Sequence, residues 1–174
     1  EEVDRVIERI KRLLEEVERK IRRASEKNRR LIEKSRKELE KVSKENKDLI
    51  DRVRELRDAG VDKREIKDLL RRISEEMKKV IDELKRSNEK VSEELRRMLK
   101  EIREDLKRIV DEARERVKGE KVKTVEKEIR EVIERADEII ERNERENKKS
   151  VEEIEEILER NKRRNEEALR EVDK

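Results

Sequence analysis

A chain of 174 residues with 60% charged side chains, no aromatic residue, no Pro, Cys or His and only two Gly is not an ordinary globular sequence, because such domains carry about 25% charge. The missing Cys and His remove disulfides, thiol chemistry and the usual nucleophile–base pairs. The 54 basic and 51 acidic residues interleave throughout, unlike the one-sided basic face of a nucleic-acid binder.

No uninterrupted apolar run exceeds two residues, which excludes a transmembrane helix and a signal-peptide core and predicts a soluble chain with no targeting signal. An apolar content of 30% would fit disorder. Against disorder stand the absence of Pro and the dominance of Glu, Lys, Arg, Leu and Ile, which are strong or reasonable helix formers.

The first predicted helix runs over about 3–57 and ends at Asp58-Ala59-Gly60-Val61-Asp62. Gly60 suits the left-handed position that closes a helix. Asp62 is placed to cap the next one, with Glu65 as capping-box partner and Val61 and Ile66 at the spacing of a hydrophobic staple. The second helix covers about 63–117, and the second turn is placed at about 118–124, where Lys118 and Gly119 stop it. Thr124 is the expected N-cap of a third helix over about 125–173, with Glu126 in the first turn, where the helix dipole favours an acid. Each helix would be roughly 80 Å long at about 1.5 Å per residue. Short connections make neighbours antiparallel, so the expected fold is all-α: residues 1–174 as one up-down-up antiparallel three-helix bundle of long, nearly straight helices.

The apolar rows repeat every eighteen residues, as in Leu14, Ile32, Ile50; Ile66, Leu84, Ile102; and Ala136, Ile154, Val172. Eighteen residues make five turns at 3.6 residues per turn. A heptad repeat would impose a left-handed supercoil and an eleven-residue repeat a right-handed one; this period asks for neither. Off these rows the third helix, from 125 onward, carries only Asp, Glu, Lys and Arg. Each helix can therefore bury one continuous apolar stripe.

All seven Asn and all seven Ser fall on the same rows. Ile10 recurs as Asn28 and Asn46, Ile7 as Ser25 and Ser43, and Ile129 as Asn147 and Asn165. Folding at the two turns sets residue p of the first helix against about 120 − p in the second and p + 121 in the third, given Gly60 and Gly119. Ser25 and Asn28 then meet Asn88, Ser92, Asn147 and Ser150, while Ser43 and Asn46 meet Ser74, Asn161 and Asn165. Two inter-helix hydrogen-bond networks are expected, since a buried polar group without a partner costs roughly 1–3 kcal/mol. The competing arrangement has these side chains at the edge of the stripe, reaching water.

No catalytic or cofactor-binding residue is assigned. Gly60 and Gly119 each stand alone, so there is no phosphate loop; the carboxylates lie on the solvated face; and no inward Glu-x-x-His pair exists for a di-metal site. No metal, cofactor, nucleic acid or membrane is expected as a partner. A monomer is favoured, with a homo-oligomer sharing the same stripes as its alternative.

The composition, the idealised cap at Gly60-Val61-Asp62, the eighteen-residue rows and the confinement of Asn and Ser to them resemble de novo designed, parametrically generated helical bundles, and among these the ones with buried hydrogen-bond networks. That resemblance implies a structural scaffold without catalytic activity. The alternatives are a self-assembling coiled-coil protein or a natural spacer similar to spectrin-like three-helix repeats. Spectrin-like repeats carry core Trp and irregular surfaces with Gln, Thr and His, from which this chain departs.

Overall fold

The computed structural model describes residues 2–117 and 119–174, and the described residues form three helices: α1 (Glu2–Asp58), α2 (Lys63–Arg116) and α3 (Glu120–Asp173). The first turn follows the local chemistry of its residues. Gly60 takes a φ of 79°. Around it Val61 N–H donates to Leu56 O at 3.1 Å and Gly60 N–H to Arg57 O at 3.1 Å. This pair is the Schellman closure, which satisfies carbonyls the helix end would otherwise orphan. Asp62 then caps α2, its carboxylate accepting from Arg64 N–H at 3.3 Å. No Glu65 side-chain bond back to Asp62 N–H is present among the described residues, so the cap is one-sided. Ile66 is buried and Val61 packs against the same apolar cluster, as a staple requires.

The second turn is shorter than expected. α3 starts at Glu120 and not near 125, so Thr124 is an exposed residue inside the helix and not its N-cap. The reason is apolar: Val122 precedes Val125 and Ile129 on one helix face and packs against their cluster, so winding the helix back covers it. Gly119, at φ 95°, redirects the chain, and Val122 N–H closes a tight first turn onto Gly119 O at 3.2 Å. Lys118 lies outside the described residues.

Contacts divide the chain into two compact units, residues 1–30 with 91–147 and residues 31–90 with 148–174. Each takes one segment from every helix and has its own apolar cluster. Ile10, Leu14, Leu106, Ile109, Val125 and Ile129 belong to the first, and Leu39, Val53, Ile66, Leu70, Ile81 and Ile154 to the second.

Within each unit the exposed ion pairs report the register. Partners on α1 and α3 differ by 117 in Asp4–Lys121 and Glu18–Arg135 of the first unit, and by 117 again in Arg36–Glu153 and Arg54–Glu171 of the second. Partners on α2 and α3 add to 240 in Arg103–Asp137, Lys85–Glu155 and Lys67–Asp173. Hence α1 and α3 run parallel and α2 antiparallel to both, the up-down-up order. The α1–α3 offset of 117 replaces the expected 121 by about one helical turn. The change arises chiefly between α1 and α2, where Arg9–Glu112, Lys20–Asp105 and Lys27–Glu94 add to 121, 125 and 121 in place of the expected 120, whereas the α2–α3 sum is within one residue of expectation.

Candidate functional site

The side chains that distinguish this chain from a plain apolar bundle are its amides and hydroxyls, and the helix faces decide where they go. All seven Asn are buried, from Asn28, Asn46 and Asn88 at 0% exposure to Asn147 at 9%. The edge arrangement is therefore wrong for every Asn. Ser is mixed: Ser35 and Ser150 are buried, Ser25, Ser43, Ser74 and Ser92 are half-buried, and Ser87 is exposed, contrary to its expected place on an inner row.

One hydrogen bond joins two of these side chains across helices among the described residues. Asn88 Nδ2 on α2 donates to Ser150 Oγ on α3 at 3.1 Å, both in the second unit. Ser25, Asn28, Ser92 and Asn147 belong to the first unit, so the first expected group is divided between the two.

The offset of 117 shows a finer arrangement. Asn28 is level with 145, midway between Asn143 and Asn147, which stand one turn apart on α3. Eighteen residues on, Asn46 is level with 163, midway between Asn161 and Asn165. Each triad lies within a single unit. The unpartnered buried atoms repeat as well: both amide atoms of Asn28, Nδ2 of Asn143 and Oδ1 of Asn147 in one triad; both amide atoms of Asn46, Nδ2 of Asn161 and Oδ1 of Asn165 in the other. Each triad thus holds two donor and two acceptor atoms with complementary needs. The α2 residues at these levels, Leu95 and Met77, are apolar and buried.

The same rows have an apolar version one repeat earlier. Ile10 is level with 127, between Val125 and Ile129, with Ala113 on α2, and all four are buried at 3% exposure or less. Asn143 is the one Asn outside the two expected groups, although the row Val125, Asn143, Asn161 marks it; Ser35, also outside them, is buried as well.

No helix is long and apolar enough to cross a membrane, and among the described residues no group of three or more His, Cys, Asp or Glu could hold a metal ion. The exposed pairs shift a few titrations. Asp4 is held below the usual carboxylate range by its hydrogen bond with, and the charge of, Lys121, and Glu171 is lowered chiefly by its hydrogen bond with Arg54. Lys85 is raised by its bond with Glu155. These are structural pairs on open helix faces.

The described residues define an all-α, three-helix bundle class of protein. Neither a family model nor a curated protein matches the chain. Among solved structures it is similar to a computationally designed three-helix bundle at 21% identity, covering 98% of this chain and 90% of that one with a TM-score of 0.49.

Proposed function

We propose that this chain is a designed structural scaffold with no catalytic activity of its own, whose task is to fold to one register and hold it. The observation that carries this reading is the repeated Asn triad. An eighteen-residue repeat makes every apolar layer resemble the next, so a helix slid by a whole repeat still matches its neighbour's stripe along the two-thirds of its length that remain overlapped. Within that overlap the order of layers along the helices distinguishes the registers: Ile10 with Val125 and Ile129, then two Asn triads.

In the native register each α1 amide stands level between the unpartnered Oδ1 of the upper α3 Asn, Asn147 or Asn165, and the unpartnered Nδ2 of the lower one, Asn143 or Asn161, so that a turn of the amide torsions brings complementary atoms together. A slip by one repeat sets Ile against two amides and leaves one Asn with no partner. Each orphaned group then costs about 1–3 kcal/mol. Asn88 with Ser150 adds a further marked layer.

The scaffold closes on itself as a monomer. Val80 is the only large apolar side chain left exposed among the described residues, so no apolar face asks for a second chain. Light scattering coupled to size exclusion tests this. A molar mass near 21.3 kDa across a hundredfold dilution supports the closed scaffold. A doubled mass would reassign the triads to partner selection.

A further inference from the structure

The second unit has a groove of about 480 Å³ between α2 and α3, within the roughly 300–1,000 Å³ of ordinary ligand sites. Its apolar walls include Met77, Ile81, Leu158 and Leu169. Three polar side chains complete the lining, Ser74, Asn161 and Asn165, and Ser74 Oγ, Asn161 Nδ2 and Asn165 Oδ1 are buried without a hydrogen-bond partner. Asn161 and Asn165 are only 4% and 8% exposed.

The repeat supplies an internal comparison. Moved by two repeats, Ser74, Met77, Asn165 and Leu169 correspond to Val110, Ala113, Ile129 and Ile133, and these line a groove in the first unit of about 160 Å³. The wider groove is thus the one where the row turns polar.

We infer that the groove over Ser74, Asn161 and Asn165 binds a small neutral molecule with an apolar body and a carboxamide head. The rim decides against an ion. Arg71, Lys78 and Lys162 are matched by Glu75, Glu159 and Glu166, so no net charge selects an anion or a cation. The polar floor decides for an amide, which presents a carbonyl to the Asn161 N–H donor and an N–H to the Asn165 oxygen, while Ser74 Oγ can serve either. Each Asn amide has two N–H hydrogens and two acceptor lone pairs, so Asn161 and Asn165 have capacity for a ligand even where they also engage Asn46. Terminal amide torsions are broad and two-fold, which lets the buried atoms turn toward the groove.

The test is a titration of the full chain with hexanamide and, separately, with hexanoate, followed through the backbone amide resonances and the side-chain NH₂ resonances of the Asn residues. Hexanamide is expected to give saturable shifts at Asn161 and Asn165 with an affinity at least about tenfold above that of hexanoate, the worth of about one hydrogen bond. The double variant Ser74→Val, Asn165→Ile carries the residues the rows place two repeats away, so its helicity should persist while hexanamide binding falls by about tenfold or more. Ser74→Val alone leaves the Asn triad whole and should weaken binding severalfold. Equal binding of amide and acid, undiminished affinity in the folded double variant, shifts centred on Ile129 and Val110, or no saturable shift up to the solubility of hexanamide would each overturn the assignment.

Discussion

Replacing Asn28 by Ile, Asn143 by Val and Asn147 by Ile installs in the first triad the residues that the same rows carry one repeat earlier. The three positions are 0%, 2% and 9% exposed, so each new side chain would be essentially fully buried. Burying one such aliphatic side chain stabilises by about 2 kcal/mol. If the amides satisfy one another, Asn28→Ile alone gains that much but orphans two groups, at about 2 kcal/mol each, for a net loss of about 2 kcal/mol. Asn143→Val and Asn147→Ile each orphan one group and come out near zero by the same reckoning. The triple variant orphans nothing: about 6 kcal/mol of burial less about 2 kcal/mol for two lost hydrogen bonds leaves a gain of about 4 kcal/mol. The singles sum to a loss of about 2 kcal/mol, so the coupling is about 6 kcal/mol. Guanidinium unfolding followed by far-UV circular dichroism, with linear extrapolation and comparison of m-values, measures it. Additivity within about 0.5 kcal/mol, with every single variant stabilising, would refute mutual satisfaction of the amides.

Two further outcomes follow from the turn and the surface. Gly60→Ala should lower stability by about 1 kcal/mol in the same unfolding assay, because an L side chain resists the φ of 79° even though a Cβ there meets nothing within 4 Å. Asp4 should titrate below its ordinary value of 3.8 in a carboxyl-carbon NMR titration, and Lys121→Gln should move it upward. The sign is that of a depressed carboxyl: the pair's contribution is complete above the unfolded-state pKa and disappears as pH falls through the lowered folded one.

Much of the fold was legible because local signals coincided. At Gly60, Val61 and Asp62 the stop, the staple and the cap all point to one boundary, and the structure closes the helix there with two Schellman bonds. At Gly119 the signals conflicted. Thr124 is a good cap by type, but Val122 already belongs to the apolar stripe, and packing prevailed over capping chemistry. The α1–α3 register differs by about a turn for a separate reason, the pairing of α1 with α2, and it gives Asn28 Asn143 as a neighbouring level. Burial of the amides was readable from the rows alone, whereas the pairing of their atoms was not. A shift of four residues on a helix preserves the face and changes the level, so hydropathy rows cannot distinguish an offset of 117 from one of 121. Ser87 shows the other limit. It sits beside Asn88 on the margin of the stripe, and one residue of rotation, about 100°, carries it into solvent.

The constant offset within each unit has a consequence for length. A block of eighteen residues returns a helix to its starting azimuth after five whole turns, whereas seventeen or nineteen would leave it about 100° out of phase. Equal blocks added at one level of all three helices would therefore preserve every facing pair, and a block added to a single helix would break them all downstream. Matched increments of about 27 Å, at 1.5 Å per residue, are the ones that leave no azimuthal drift, whereas blocks of seven or eleven residues would each add about 20°. Whether each increment is a row of Ile and Val or a row of Asn can be chosen independently of its length.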